Sequence, residues 1–273
     1  MTNANGFGRI NINNWGCDCV MKLSARLQHI ADRLPSGCRL ADIGSDHALL
    51  PVYAVQSGRA SFAVAGEVND GPLEAAKRQV AEAGESKRVS VRKGDGLAVI
   101  EPGEVDVITI AGMGGALIAS ILEAGQDKLA GVNRLVLQPN VGEDIVRSWL
   151  TAHGWYLSEE IILEEDGKIY EILTAETGPE TVKLNEQLYS ERKIPGSTVS
   201  LSRDLLLLMG PHLTNSPTEV WFAKWYSEID KLDKIRQSVA ESKQEASREK
   251  EESLNQLSNR LKEVLACLPK AKQ

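Results

Sequence analysis

Five short apolar runs recur along the chain, four of them followed after a turn by helical spacing, and this alternation constrains the fold more than any other feature. The runs are "RLADIG" (39–44), "SFAVAGEV" (61–68), "VSVRKGDG" (89–96), "DVITIAG" (106–112) and "RLVLQPN" (134–140). Helices are expected between them over Pro51–Ser57, Pro72–Ala83, Gly115–Glu123 and Glu143–Ala152. Successive strands joined through helices lie parallel, with right-handed crossovers and both sheet faces covered. The nearly unbroken apolar character of "DVITIAG" and "RLVLQ" agrees with burial on both sides. The last two strands differ. "WYLSEEIILEE" and "KIYEILTAE" are separated only by Asp166-Gly167, a tight hairpin signal. The expected fold class is therefore α/β, a mostly parallel sheet with an antiparallel last strand.

Four segments follow from the same reading. Residues 1–20 are rich in Asn and Gly, lack the charged start and apolar run of a secretion signal, and read as a leader without a fold. Residues 21–178 carry the sheet and open with an amphipathic helix over 22–34. Its apolar stripe is Leu23, Leu27, Ile30 and Leu34, and its polar stripe Lys22, Arg26, His29 and Arg33. Residues 179–218 look like a connection. From Glu219 to residue 273 the chain reads as two antiparallel helices with a turn near 241–250. One carries Trp221, Trp225, Ile229 and Leu232, and the other Leu254, Leu257, Leu261, Val264 and Leu268, in coiled-coil spacing. A single long helix would lose its apolar seam in "ESKQEASREKEES".

With 42% hydrophobic and 25% charged residues the chain is globular, and no apolar run is long enough to span a bilayer. Cys17, Cys19, Cys38 and Cys267 have neither a metal spacing nor a disulfide framework, so reduced thiols and a cytoplasmic location are expected, with no metal and no membrane. The net charge of −7 disfavours nucleic acid as a partner on average. It averages unlike parts, however: residues 219–273 hold eleven basic against ten acidic residues, and Lys22, Arg26, Arg33 and Arg39 face only Asp32 within 21–40. A local basic face is what matters for docking RNA. Lys22, Arg26 and Arg33 are therefore candidate phosphate contacts, weighed against an ordinary solvated face.

Ligands of parallel sheets sit outside the carboxyl ends of the strands. Those ends carry Asp42 and Gly44, then Glu67, then Asp95-Gly96, then Ala111-Gly112-Met113-Gly114-Gly115, then Gln138-Pro139-Asn140. An acid about 20 residues beyond the first glycine turn suits ribose hydroxyls, and Asp95 suits an adenine amine. Singly each has a plain structural reading as a cap, a turn or core filler. In order, at successive strand ends, they describe a nucleoside site. The first turn, "ADIGSDHALLP" (41–51), lacks G-x-G-x-x-G and places Asp46 and His47 where a diphosphate would sit. Pyrophosphate needs a helix terminus free of anions. S-adenosylmethionine instead brings a sulfonium, an ammonium and a carboxylate. Asp42 or Asp46 would pair with its positive end, and backbone N–H groups near Ser45 would take the carboxylate.

"LSARLQHIADRLPSGCRLADIGSDHALLPVYAV", "AGEVNDGPLEAAKRQV", "VRKGDGL", "ITIAGMGGALIASILEAG", "RLVLQPN" and "ILEEDGKIYEIL" resemble the bacterial tRNA adenine-22 N1-methyltransferases, the TrmK family. The likeness runs from about Leu23 to Ala175, continues more loosely into the helical tail, and omits residues 1–20 and 176–200. It implies a class I methyltransferase, Rossmann-like domain with a C-terminal helical hairpin that helps hold RNA. It further implies S-adenosylmethionine as methyl donor and N1 of adenine 22, in the D-arm region of tRNA, as target. By position, Asp42, Gly44, Ser45, Asp46, His47, Glu67, Asp95, Gly96, Gly112 and Met113 would line the cofactor pocket. Leu49 stands where some relatives carry an aromatic residue.

Enzymes that methylate exocyclic amines present an Asn/Asp-Pro-Pro-aromatic tetrapeptide at the fourth strand end, and this chain has "AGMGG". Adenine N1 has an in-plane lone pair and needs no deprotonation, so alignment and base exposure are the main tasks. His47 and Asn140 are candidates for contacting the base, with Asp46 stabilising a cationic product. For His47 a structural hydrogen bond, and for Asn140 a turn role, stand as alternatives. Rival functions are methylation of another RNA or a small molecule, an NAD-dependent oxidoreductase, and a non-catalytic RNA-binding adaptor. A monomer is favoured.

Overall fold

The computed structural model describes residues 21–240 and 245–269. The expected leader with Cys17 and Cys19, and residues 241–244 of the expected turn, lie outside the described residues.

Seven strands form one sheet: β1 (Cys38–Ile43), β2 (Ala60–Glu67), β3 (Val89–Lys93), β4 (Val107–Met113), β5 (Arg134–Pro139), β6 (Tyr156–Glu165) and β7 (Lys168–Glu176). Their order is β3-β2-β1-β4-β5-β7-β6. The first five strands are parallel, and β7 lies antiparallel between β5 and β6. This is the expected fold class. Asp166 and Gly167 take φ of +52° and +72°, so the β6–β7 turn has the left-handed pair of residues that matches strand twist.

The helices include α1 (Ala25–Asp32), α2 (Leu49–Gln56), α3 (Asp70–Glu82), α4 (Gly115–Ala124) and α5 (Glu143–Ala152). Helix α1 is shorter than its stripe predicts. The Ser24 hydroxyl caps it by accepting the Leu27 N–H at 3.3 Å, and the Glu165 carboxylate accepts the N–H groups of Ala25 and Arg26. The bias of residues before Pro35 away from helix ends it. Ile30 and Leu34 are buried as the stripe requires.

The segment expected as a connection is more ordered than that. It contains α6 (Thr181–Leu188), β8 (Arg192–Lys193), β9 (Ser200–Leu201) and α7 (Arg203–Met209), elements too short for a periodicity argument. Leu205, Leu206 and Met209 of α7 are buried. Helices α8 (Glu219–Ala240) and α9 (Glu245–Cys267) then pair antiparallel, since Asp233 meets both Ser258 and Lys262 while Arg236 reaches Glu251. One apolar core runs from Ile108 and Leu137 of the sheet through Trp149 and Leu206 to Trp221 and Val264 of the hairpin. No helix among the described residues is long and apolar enough to cross a membrane.

Within that core sits a charge cluster. Arg147 of α5 has no solvent exposure. Its guanidinium donates to Glu160 at 2.6 Å, to Glu171, and to the Leu207 and Leu208 carbonyls at 3.0 and 3.1 Å. Lys224 of α8 donates to the other Glu171 oxygen at 2.7 Å and to Glu143. The second Glu160 oxygen accepts the His212 N–H at 2.9 Å. Gly210, at φ +87°, passes where a Cβ would lie 2.9 Å from the guanidinium. Burial alone would push the Glu171 carboxyl up, but the Arg147 and Lys224 cations outweigh it and hold it below the usual range. Removing one partner of such a cluster leaves an uncompensated buried charge. Glu171→Gln is expected to lower unfolding free energy by roughly 3–5 kcal/mol, read by denaturant titration. Because the folded carboxyl sits below its ordinary 4.5, its contribution is complete above that pH and fades as pH falls further. The variant should therefore show a shallower acid limb than the parent.

Candidate active site

Strand order reverses between β1 and β4; ligands of such sheets sit in the cleft outside the strand ends at the reversal, and parallel pairing sets the predicted residues of β1 to β5 along that edge. Asp42 is in register with Thr109 of β4 and accepts its hydroxyl at 2.6 Å. Burial pushes the Asp42 carboxyl up, opposed by the nearby Ser45 and Thr109 hydroxyls and the Arg26 charge. Asp42 is thus set beneath the turn, paired with a hydroxyl. Gly44 bends the chain at φ +69°, and its N–H and that of Ser45 both donate to the Gly66 carbonyl, at 2.9 and 3.1 Å. The Asp46 N–H donates to the Gly44 carbonyl at 3.0 Å. Three of the backbone N–H groups near Ser45 that were expected to receive a carboxylate are thus engaged in closing the turn itself. The Ser45 hydroxyl is buried near the Asp42 carboxyl but makes no hydrogen bond of good geometry among the described residues.

The rest of the turn stores strain. His47 and Ala48 adopt φ of +56° and +53°, a conformation costing side chains of order 1–3 kcal/mol each. It turns Asp46 and His47 outward, with Nε2 and Oδ1 3.4 Å apart and both side chains exposed. Glu67, at the end of β2, is buried. Desolvation is the main force raising its carboxyl; the Val68 and Asn69 N–H groups pull it down, and the charges of Asp46 and Asp42 add to the rise. Asp95 is exposed at the end of β3, followed by Gly96 at φ +53°. Together these give the cleft a surplus of acid.

The β4–β5 edge has its own chemistry. Pro139 has no N–H, and the register slips between Ala111 and Met113, leaving Gly112 bulged at φ +77°. Side chains replace the missing ladder bonds. Gln138 Oε1 accepts the Gly112 N–H at 3.1 Å, and Asn140 Nδ2 donates to the Gly112 carbonyl at 2.8 Å. Gln138 Nε2 joins them by donating to Asn140 Oδ1 at 3.1 Å. Asn140, expected to face a substrate base, is thus an exposed residue whose amide already holds the two strand ends together. Met113 lies across Gly44, where a Cβ would come 2.1 Å from its terminal methyl.

The basic stripe of α1 is redistributed by the tertiary structure. Arg33 pairs with Glu159 of β6 at 3.0 Å and its side chain is only 11% exposed. Arg26 turns into the cleft, where Nη1 donates to Gln138 Oε1 at 2.7 Å and the guanidinium lies 5.3 Å over the Tyr170 ring. Of the three candidate phosphate contacts, Lys22 alone is exposed without an ion pair among the described residues. A cleft role for Arg26 could not be read from helix spacing, which placed it on a polar face. Thr109 and Gln138 were better signalled, as polar residues inside runs otherwise wholly apolar. Beside the cleft, a groove of about 440 Å³ runs from Asn140 and Glu143 to Trp225, Lys231 and Leu257 of the helical hairpin.

A family model described as tRNA (adenine(22)-N(1))-methyltransferase matches residues 40–265. The Bacillus subtilis tRNA (adenine(22)-N(1))-methyltransferase is 46% identical over 248 residues, covering 90% of this chain and 98% of that protein. The crystal structure of the B. subtilis M1A22 tRNA methyltransferase TrmK superposes with a TM-score of 0.79, covering 89% of this chain and 99% of that one. A putative tRNA (m1A22) methyltransferase of Streptococcus pneumoniae, solved in complex with S-adenosyl-L-methionine, is 39% identical with a TM-score of 0.73, covering 89% of this chain and 100% of its own.

The crossing of Met113 over Gly44 is testable by itself. Gly44→Ala should cost roughly 2–4 kcal/mol of stability, from a disfavoured φ and from overpacking. Adding Met113→Ala should recover only the overpacking share, so a double-mutant cycle by thermal unfolding should show a favourable coupling.

Proposed function

The chain belongs to the tRNA (adenine(22)-N(1))-methyltransferase family, and from that premise we propose how its cleft residues divide the work. The protein is an enzyme that uses S-adenosylmethionine to methylate N1 of adenine 22 in tRNA. The donor supplies an electrophilic sulfonium methyl, and adenine N1 supplies an in-plane lone pair.

Glu67 accepts the ribose hydroxyls, and Asp95 with the Gly96 backbone receives the adenine. Gly44 and Gly112 let the chain approach closely, and Met113 packs over the turn. The orphaned Ser45 hydroxyl is free to bond the donor. Asp42 and Asp46 add negative potential, which suits a cation and disfavours a diphosphate. The single observation that supports this assignment is that parallel pairing sets the ends of β1, β2, β3 and β4, with Asp42, Glu67, Asp95 and Gly112, along one edge of the sheet at its reversal.

No general base is required, because N1 carries no proton to lose. Asp46, exposed at the rim, stabilises the positive charge that methylation places on the base, and His47 beside it contacts the base. Asn140 positions the Gly112 bulge against which the base lies. The tRNA spreads across Lys22 and the helical hairpin, where Lys234, Lys250 and Arg260 are exposed and free of ion pairs among the described residues. The groove between the Asn140 loop and the hairpin admits nucleotides beside the target. The protein acts as a monomer in the cytoplasm. In support of the monomer, the apolar stripes of α8 and α9 are largely spent inside the chain, with Trp221, Trp225, Leu261 and Val264 buried.

Incubation with labelled donor and unmodified total tRNA should place the label on N1-methyladenosine at position 22. Glu67→Ala should raise the dissociation constant for S-adenosylhomocysteine about 10- to 100-fold, the worth of losing a charged acceptor. Unchanged affinity in calorimetry would remove Glu67 from the ribose, and tight NADH uptake instead would overturn the cofactor assignment.

A further inference from the structure

Arg26 stands out among the arginines of the sheet domain. Arg33, Arg39, Arg59, Arg88, Arg92, Arg134 and Arg147 each meet a carboxylate within 3.3 Å, and Arg78, which has no ion pair among the described residues, is exposed on α3. Arg26 is half-buried and has no ion pair among the described residues; its side-chain partners are the neutral Gln138 amide and the Tyr170 face. A guanidinium carries five N–H donors in a rigid fork, and here Gln138 takes one, at 2.7 Å. The fork is held in place from behind. Glu165 fixes the first turn of α1, Tyr170 supports the guanidinium plane, and Gln138 also binds the Gly112 N–H at 3.1 Å. Nη1 lies 3.8 Å from where a Cβ on Gly112 would be, so the charge stands at the cleft wall. A half-buried cation with free donors, which feels the Asp42 carboxyl only at longer range and pairs with no carboxylate within 4 Å among the described residues, has room for an anion.

The donor has one anionic group, the α-carboxylate of its methionine part. The turn following β1 cannot seat that group on its first three N–H donors, because Gly44, Ser45 and Asp46 spend theirs on backbone carbonyls. Nor does the surplus of acid from Asp42, Asp46 and Glu67 offer a place for it. We propose that Arg26 is the carboxylate clamp of the methyl donor, gripping the methionine end with the donors that Gln138 leaves free. Its place on the polar stripe of α1 thus serves the cofactor, and α1 closes one side of the cleft. This rests on the S-adenosylmethionine reading above.

The two ideas separate in one calorimetric series. S-adenosylhomocysteine carries the carboxylate, whereas 5′-methylthioadenosine keeps the nucleoside and lacks the amino-acid end. Arg26→Met should weaken S-adenosylhomocysteine about 10- to 100-fold and leave methylthioadenosine within twofold of the parent. Arg26→Lys, which keeps the charge without the fork, should fall between. Equal weakening of both ligands would overturn the clamp and leave Arg26 as a support for the Gln138 corner. Unchanged S-adenosylhomocysteine affinity with weakened tRNA binding would also overturn it, assigning the guanidinium to a phosphate. A parent protein that binds neither nucleoside would sink the cofactor reading itself, and retained methylthioadenosine binding certifies that the variants are folded.

Discussion

The fully buried Arg147 guanidinium is the constraint on which the arrangement of this protein depends. A cation without water must have every donor answered, and the answers come from distant parts of the chain: Glu160 of β6, Glu171 of β7, and carbonyls at the end of α7. Glu171 in turn needs Lys224, which brings in α8 and reaches Glu143 at the start of α5. Apolar contacts hold the same elements together but tolerate sliding. The charge cluster admits one geometry, so the hairpin is registered to the sheet and not merely stuck to it.

That registration bears on the cleft. Glu143 follows directly on the loop that holds Asn140, and Asn140 with Gln138 repairs the ladder broken by Pro139 and the Gly112 bulge. The chain from the hairpin to the β4–β5 edge is therefore short: Lys224, Glu143, the 140–142 loop, Gly112. On the other side of the reversal the turn after β1 is closed by its own hydrogen bonds and strained at His47 and Ala48. A rigid, acid-rich turn faces a bulged, amide-laced edge. A reaction that needs alignment more than proton transfer is served by such fixity.

Much of this was legible in the residues. Alternating apolar runs and helical spacing announced the sheet, Asp166-Gly167 announced the hairpin, and the order of the runs put Asp42, Glu67 and Asp95 at strand ends, where the structure has them. Local rules suffice there, because each signal depends on neighbours within a few positions. What stayed hidden shares a cause. The stripe of Lys22, Arg26 and Arg33 looked uniformly available because the acid that meets Arg33, Glu159, and the amide that meets Arg26, Gln138, lie more than a hundred residues away. Arg147 sits among the buried apolar positions Val146, Trp149 and Leu150, and Glu171 interrupts an apolar strand. Charges placed on buried faces are the trace that a long-range pair leaves in a sequence, but the trace does not say which pair.

By itself, then, the sequence determined the strand and helix pattern, the direction of the strands, and the kinds of side chain at their ends, since periodicity and turn chemistry act over short distances. Tertiary structure alone decided which charges neutralise one another, which N–H groups remain for a ligand, and which way Arg26 points. Those outcomes turn on the scarcity of partners in a space without water. A donor counted as available along the chain is spent once the fold brings a carbonyl or carboxylate to meet it.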